Sequence, residues 1–270
     1  MGIAKLIKAL SVPTAIGALA VLVVMERRRP LRKPVESTTT RTGRNLAIAG
    51  LAACSLYLVE KPVTDRLTRW VKKHRVGILN LAPLPQWLET AAAVVLLDYT
   101  LYIWHVLTHK VSFLWRFHVV HHADRDLDAS TALRFHFGEL LISIAWRSAQ
   151  IVVIGVSTSS FKAWQAFLLP SVLFHHSNLR LPLDVEKKLS RLIMTPRLHG
   201  IHHSTELLET DSNWSSGLTV WDRLHGTMRT DVPQGSIVIG APGDKNRVDV
   251  GLPAMLALPF NSSSTRSSDN

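Results

Sequence analysis

Residues 87–109 read WLETAAAVVLLDYTLYIWHVLTH, an apolar run interrupted near its centre by Asp98 and closed by two histidines four positions apart. About 20 largely apolar residues are enough for a helix to cross the hydrocarbon core of a bilayer. The segment therefore predicts a membrane-length helix, opened by the breakers Pro83 and Pro85. At 3.6 residues per turn, His105 and His109 leave that helix from one face, a single turn apart.

Working outward, further apolar runs appear at 9–25, 45–59, 138–161 (interrupted by Arg147) and 163–174, the last too short to span comfortably. The whole chain of 270 residues agrees: 47% is hydrophobic and only 19% charged, with a mean hydropathy of +0.15. There is no internal repeat and no Gly-rich nucleotide loop. The expected fold is all-α, an integral membrane helical bundle under a cytosolic, histidine-rich helical cap. Residues 1–44 are read as an N-terminal membrane anchor and basic linker, 45–250 as the catalytic domain, and 251–270 as a disordered C-terminal tail that ends in NSSSTRSSDN.

The charge is strongly positive, with 31 Lys and Arg against 20 Asp and Glu for a net +11. Its placement beside apolar runs favours lipid over nucleic acid as the partner. The run 9–25 is followed at once by ERRRPLRK (26–33), which reads as a signal-anchor with its basic flank in the cytoplasm. Residues 34–44 look like a polar linker, and 61–75 alternates cations with apolar residues in the manner of an interfacial amphipathic helix. Alternating the spans puts 61–75 outside, against the positive-inside rule. What holds is that the histidine-bearing ends of the runs at 87–107 and 163–174 share a face with 26–33.

Eleven of the 13 histidines fall between His105 and His203. In FHVVHHAD, His118, His121 and His122 stand at i, i+3 and i+4, one helix face, and RLHGIHHS repeats the spacing at His199, His202 and His203. FHHSNLRLP adds His175 and His176. Adjacent imidazoles repel when charged and are costly to bury unless something uses their lone pairs. The clusters hold enough ligands for two metal ions. Imidazole suits iron, zinc, copper or nickel, and the single Cys54 rules out a thiolate cluster within one chain. Lone histidines such as His74 and His225 read as ordinary packed or interfacial residues.

The order HxxxH, HxxHH, a histidine in an HSN-L-LP context, TPRLHGIHH and a closing WDRLHGT resembles the fatty acid hydroxylase superfamily, also called the sterol desaturase family. The resemblance runs from about Asp98 to Arg229. It implies two Fe ions in a histidine-ligated di-iron centre that uses O2 to hydroxylate or desaturate a lipid. Carried over by motif, the ligands are His105, His109, His118, His121, His122, His199, His202 and His203, with His176 as the ninth. LDASTALRFHFGE is similar to the family's RFHP-x-E element with Phe137 in place of proline, which puts His136 near the site. In SNWSSGLTVWDRLHGT, Trp214, Ser215 and His225 depart from the pattern at positions expected to touch the substrate pocket and leave the metal centre alone.

A ligating imidazole needs a partner for its other N–H. Asp98, two turns before His105 on the same face, is the best candidate, against a salt bridge to Arg134 or Arg147. Glu139, His136, His175, Asn178, Asn213 and Asp222 are further candidates, the three last equally suited to turns or caps, and Asp124 stands beside them. Trp104, Trp115 and Phe117 either line a lipid cavity or anchor the interface. The expected activity is that of a membrane-bound non-haem di-iron oxygenase acting on a lipid from the bilayer, with the histidines on the cytoplasmic face. Electrons would come from a separate donor of ferredoxin or cytochrome b5 type. The alternative is a histidine-rich metal transporter or metal-binding protein. A zinc hydrolase would need an HExxH motif, and none occurs.

Overall fold

Helix follows helix in the order of the apolar runs. The computed structural model describes residue 17, residues 19–243 and residues 250–261. Among the described residues no strand forms, and only three isolated bridges occur. Helix α1 covers 19–28, while 1–16 and 18, most of the first apolar run, lie outside the described residues. Next come α2 (Thr38–Ser55), a π-helical turn (Leu56–Glu60) and α3 (Lys61–His74). The bundle continues with α4 (Gln86–Lys110), α5 (Ser112–His122), α6 (Phe137–Ile154) and α7 (Thr158–His176). Short helices α8 (Leu183–Leu189), α9 (Pro196–His202), α10 (Leu207–Thr210) and α11 (Val220–Leu224) build the cap, followed by α12 (Leu252–Ala257).

Three segments are long and apolar enough to cross a membrane: Thr38–Asn80, Gln86–Lys110 and Phe137–Ile154. The first corrects the sequence reading. The polar stretch 34–44 is not a linker throughout, because α2 starts at Thr38, and Arg41 is buried on Asp124 and Asp128. Nor is 61–75 a separate interfacial helix. The helix runs on through the π turn, where the Lys61 N–H bonds the Leu56 carbonyl. Pro62 follows with no N–H to offer Leu58, so the ladder slips to the wider spacing there instead of breaking. Tyr57 and Leu58 face outward at this turn, 69% and 68% exposed.

Two apolar cores result. Val71, Leu79, Ala93, Leu97, Ile151 and Trp164 join α3, α4, α6 and α7. Ile48, Trp115, Val120, Met255 and Leu258 join α2, α5 and the C-terminal segment. The second core corrects the disordered-tail reading for 251–261. Met255 and Leu258 are fully buried, each worth about 1.5–3 kcal/mol of hydrophobic stabilisation. The polar remainder, 262–270, lies outside the described residues.

The basic segment 26–33 packs against the end of α7. Leu31 N–H bonds the Asn178 carbonyl, Arg180 N–H bonds that of Arg29, and Asn178 exchanges side-chain bonds with the Arg32 backbone. Glu26 Oε2 accepts the N–H groups of Asn178 and Ala129 at 2.9 and 3.1 Å. The face shared by 26–33 and the histidine-bearing end of α7 is thus built by direct bonds.

Burial raises the Glu26 carboxyl from 4.5 to about 7, against the opposing pull of the Asn178 N–H. Between pH 4.5 and 7 the folded state therefore holds more protons at Glu26 than the unfolded chain does. That contribution to stability is complete below this window and lost as pH rises through it. Glu26→Gln keeps an oxygen acceptor and removes the titration. Thermal denaturation of detergent-solubilised protein at pH 5 and pH 8 should show the variant gaining on wild type at the higher pH. An unchanged difference between the two pH values would contradict this assignment.

Candidate metal centre

Four elements bring the histidines together. The last turns of α4 carry His105 and His109. Val111, extended at φ −95° and ψ 111°, breaks the chain so that α5 folds back with His118, His121 and His122. Helix α7 ends on His175 and His176, and α9, opened by Pro196, carries His199, His202 and the following His203. Gly200 lies flat against the Arg32 guanidinium, where a Cβ would collide. Arg32 in turn donates to the Pro196 carbonyl (3.1 Å) and to Gln234, seating α9 on the N-terminal segment.

The rings gather in two fully buried groups. His105, His109, His122 and His202 form one, and His121, His176, His199 and His203 the other, each with its ligand atoms within 4.8 Å of one another. His122 stacks on His203 across the two groups at 4.3 Å. His118 touches rings of both, 4.8 Å from His109 and 5.3 Å from His121 between centroids. Eight of the nine histidines expected from the motifs thus enter a group, and the ninth stands between them.

The hydrogen-bond pattern sets the tautomers. A carbonyl oxygen can only accept, so His105 Nδ1 donates to Trp214 O (2.6 Å), His202 Nδ1 to Ser212 O (2.9 Å) and His176 Nδ1 to Val172 O (2.8 Å). His118 Nδ1 bonds Glu139 Oε1 at 2.8 Å. Each of these four rings then directs an Nε2 lone pair inward. His176 Nε2 lies 3.0 Å from the Nε2 atoms of both His121 and His199, and His203 Nε2 lies 3.1 Å from that of His199. Among the described residues, His118 Nε2, His202 Nε2 and both nitrogens of His122 have no hydrogen-bond partner.

Burial, then the neighbouring rings, holds His121, His122, His199 and His203 well below the ordinary imidazole value. Burial likewise takes His176 and His202 to about 3. The rings are neutral donors at physiological pH. Orphaned, inward lone pairs on an all-nitrogen donor set fit a pair of transition-metal ions.

The remaining candidates have definite places. Glu139 bonds His118. Asp98 does not reach His105, Arg134 or Arg147. Its carboxylate accepts from Leu218 N–H (3.0 Å) and Trp221 Nε1 (2.7 Å), pinning the 214–222 loop, because α4 turns that face toward the cap. Asp222 takes the N–H groups of Trp214 and Ser215 at 2.8 and 3.0 Å, and so fixes the carbonyl that receives His105. Asn213, at φ 52°, clamps Leu198 O and Arg229. Asn178 secures Arg32, and Asp124 binds Arg41 and Asn45. His136 belongs to neither group: it caps α6 by accepting the Gly138 N–H. His175 packs on His199 at 4.1 Å.

Trp214 corrects a second expectation. Its carbonyl holds His105, and its ring lies against His105, His109 and His202 at 5.6, 4.5 and 5.1 Å, so this departure from the family pattern touches the histidine groups themselves. Motif spacing could not reveal the Trp214 acceptor or the Arg32–Gly200 contact, because both depend on segments far apart in sequence. A cavity of about 190 Å³ opens beside the rings and runs between α4, α6 and α7, lined by Trp104, Leu140, Leu168 and Val172. Trp104 therefore lines it, whereas Trp115 packs in the second core.

A family model described as fatty acid hydroxylase matches residues 90–227. The ornithine lipid hydroxylase OlsE of Rhizobium tropici is 33% identical over 65% of this chain and 51% of that protein. Cholesterol 25-hydroxylase of Mus musculus is 27% identical over 63% of this chain and 56% of its own. Alkylglycerol monooxygenase of Homo sapiens is 26% identical over 50% and 29%. The chain thus spans between 29% and 56% of the length of these relatives. No solved structure gives a significant match.

Loss of a group that orients a ligating imidazole typically weakens metal binding about 10–100-fold. Glu139→Ala should do so when metal retention is measured against a chelator, with Glu139→Gln milder because its carbonyl still accepts from His118 Nδ1. Equal retention by wild type and Glu139→Ala would remove Glu139 from that role.

Proposed function

The chain belongs to the fatty acid hydroxylase family, and from that premise we propose that it is a membrane-bound non-haem di-iron oxygenase that hydroxylates or desaturates a lipid. The single observation that carries the reading is the pair of buried four-histidine groups at the end of a bundle of membrane-length helices. One iron would be held by His105, His109, His122 and His202 and the other by His121, His176, His199 and His203, with His118 offering its free Nε2 between them. Bound there, the metals would supply activation of O2 and oxidation of an unactivated C–H bond.

The chain's own residues do the rest. Neutral rings donate without cancelling the metal charge, as carboxylates would. Glu139, and the carbonyls of Trp214, Ser212 and Val172, keep four of the rings in the tautomer that leaves Nε2 available. The cap buries the centre away from water. Leu140, Leu168 and Val172 line an apolar approach for a lipid chain entering between the helices.

Hydroxylase and monooxygenase names among the relatives favour oxidation of a lipid. The metal centre faces the cytoplasm in this reading, because the basic segment 26–33 is bonded to the end of α7 and cytoplasmic flanks attract such charge. A separate ferredoxin-type or cytochrome b5-type protein provides the electrons.

Metal analysis of detergent-purified protein should give about two irons per chain. Lipid mass spectrometry of cells with and without the protein should show a species gaining one oxygen or losing two hydrogens, absent with His121→Ala. One zinc per chain and no O2 consumption under reducing conditions would overturn the reading.

A further inference from the structure

Helix α6 is apolar and membrane-length, yet Glu139, Ser143, Arg147 and Gln150 recur along it at helical spacing, and all four are buried. Glu139, Ser143 and Arg147 line the same cavity as His118, His121 and His176. The stripe begins at Glu139, which holds His118, and reaches Arg147 eight residues later, about 12 Å along the axis.

Arg147 is poorly neutralised for a guanidinium 9% exposed inside a candidate span. It lies over the Trp164 ring at 4.3 Å, and one amino group donates to Gln150 Oε1 at 2.7 Å. Its Nε has no hydrogen-bond partner among the described residues. Glu60, in the π turn of the first span, is the carboxylate whose charge reaches it. Among the described residues, no carboxylate comes within the 4.0 Å of an ion pair. A charged side chain is expensive at this depth and marks a binding role by default, and the planar fork of arginine matches an oxyanion in bidentate fashion.

We infer that Arg147 is the recognition site for an oxyanion carried by the substrate, so that an acidic lipid is held by its carboxylate or phosphate while a carbon farther along its chain reaches the histidine groups that line the same cavity. This rests on the cavity being the substrate site of the oxygenase proposed above. Trp164 and Gln150 hold the guanidinium in place, and Ser143 adds a hydroxyl midway.

The test is competition against tritiated palmitate bound to the full-length, as-purified protein in detergent, read by scintillation proximity. Unlabelled palmitate or hexadecyl phosphate should compete at least about tenfold better than methyl palmitate, the loss expected when a charge-assisted pair is removed. The stronger of the two anions identifies carboxylate or phosphate as the source. Arg147→Met should abolish the preference, and Arg147→Lys, a point charge without the fork, should retain part of it. The acid–ester comparison on the unmodified chain stands whether or not a variant folds. Equal competition by acid and ester, absence of saturable binding, or a preference surviving in well-folded Arg147→Met would each overturn the assignment. Iron content and O2 consumption of the same sample separate the two ideas. Anion preference without iron would sink the oxygenase reading alone, and an iron-loaded, oxygen-consuming protein without preference would sink this one.

Discussion

Nine buried imidazoles packed inside one end of a helical bundle are the constraint on which the remainder of the structure depends. Buried rings with unused lone pairs are costly, and they add nothing to a core that leucine would not provide more cheaply. The cap, the folding back of α5 and the close docking of α9 all serve to bring these rings together. Asp222 and Asn213, which touch none of the histidine rings through their own side chains, make sense in the same terms. They shape a loop whose carbonyl end fixes His105, while Asp98 holds the loop to α4.

Much of this was legible in the amino-acid order because helical spacing is local physics. His105 with His109, and His118 with His121 and His122, must share faces if their segments are helical, and the apolar runs made them so. Glu139 was also within reach, as an acid at the start of a span near a histidine motif. Asp98 was misjudged because periodicity gives a face but not what that face meets. The two-turn spacing aligned it with His105, and the cap supplied Leu218 and Trp221 first.

Tertiary bonds hid the other differences. A polar stretch containing Arg41 reads as linker until three aspartates on a distant loop are seen to surround its guanidinium. The short apolar segment LPAMLALPF, 252–260, lacks the length to announce a helix, and only the pocket between α2 and α5 gives Met255 somewhere to go. Trp214 departs from the family pattern outside any histidine spacing, so nothing in the order of residues tied it to the histidine groups.

The contact between Arg32 and Gly200 bears on the order in which the molecule can be assembled. A segment near the start of the described chain forms the seat on which His199, His202 and His203 rest. During synthesis that seat emerges from the ribosome well before α9 is made. The two histidine groups can therefore come together as the structure shows them only once α9 has been made and has packed back on residues already long outside the ribosome.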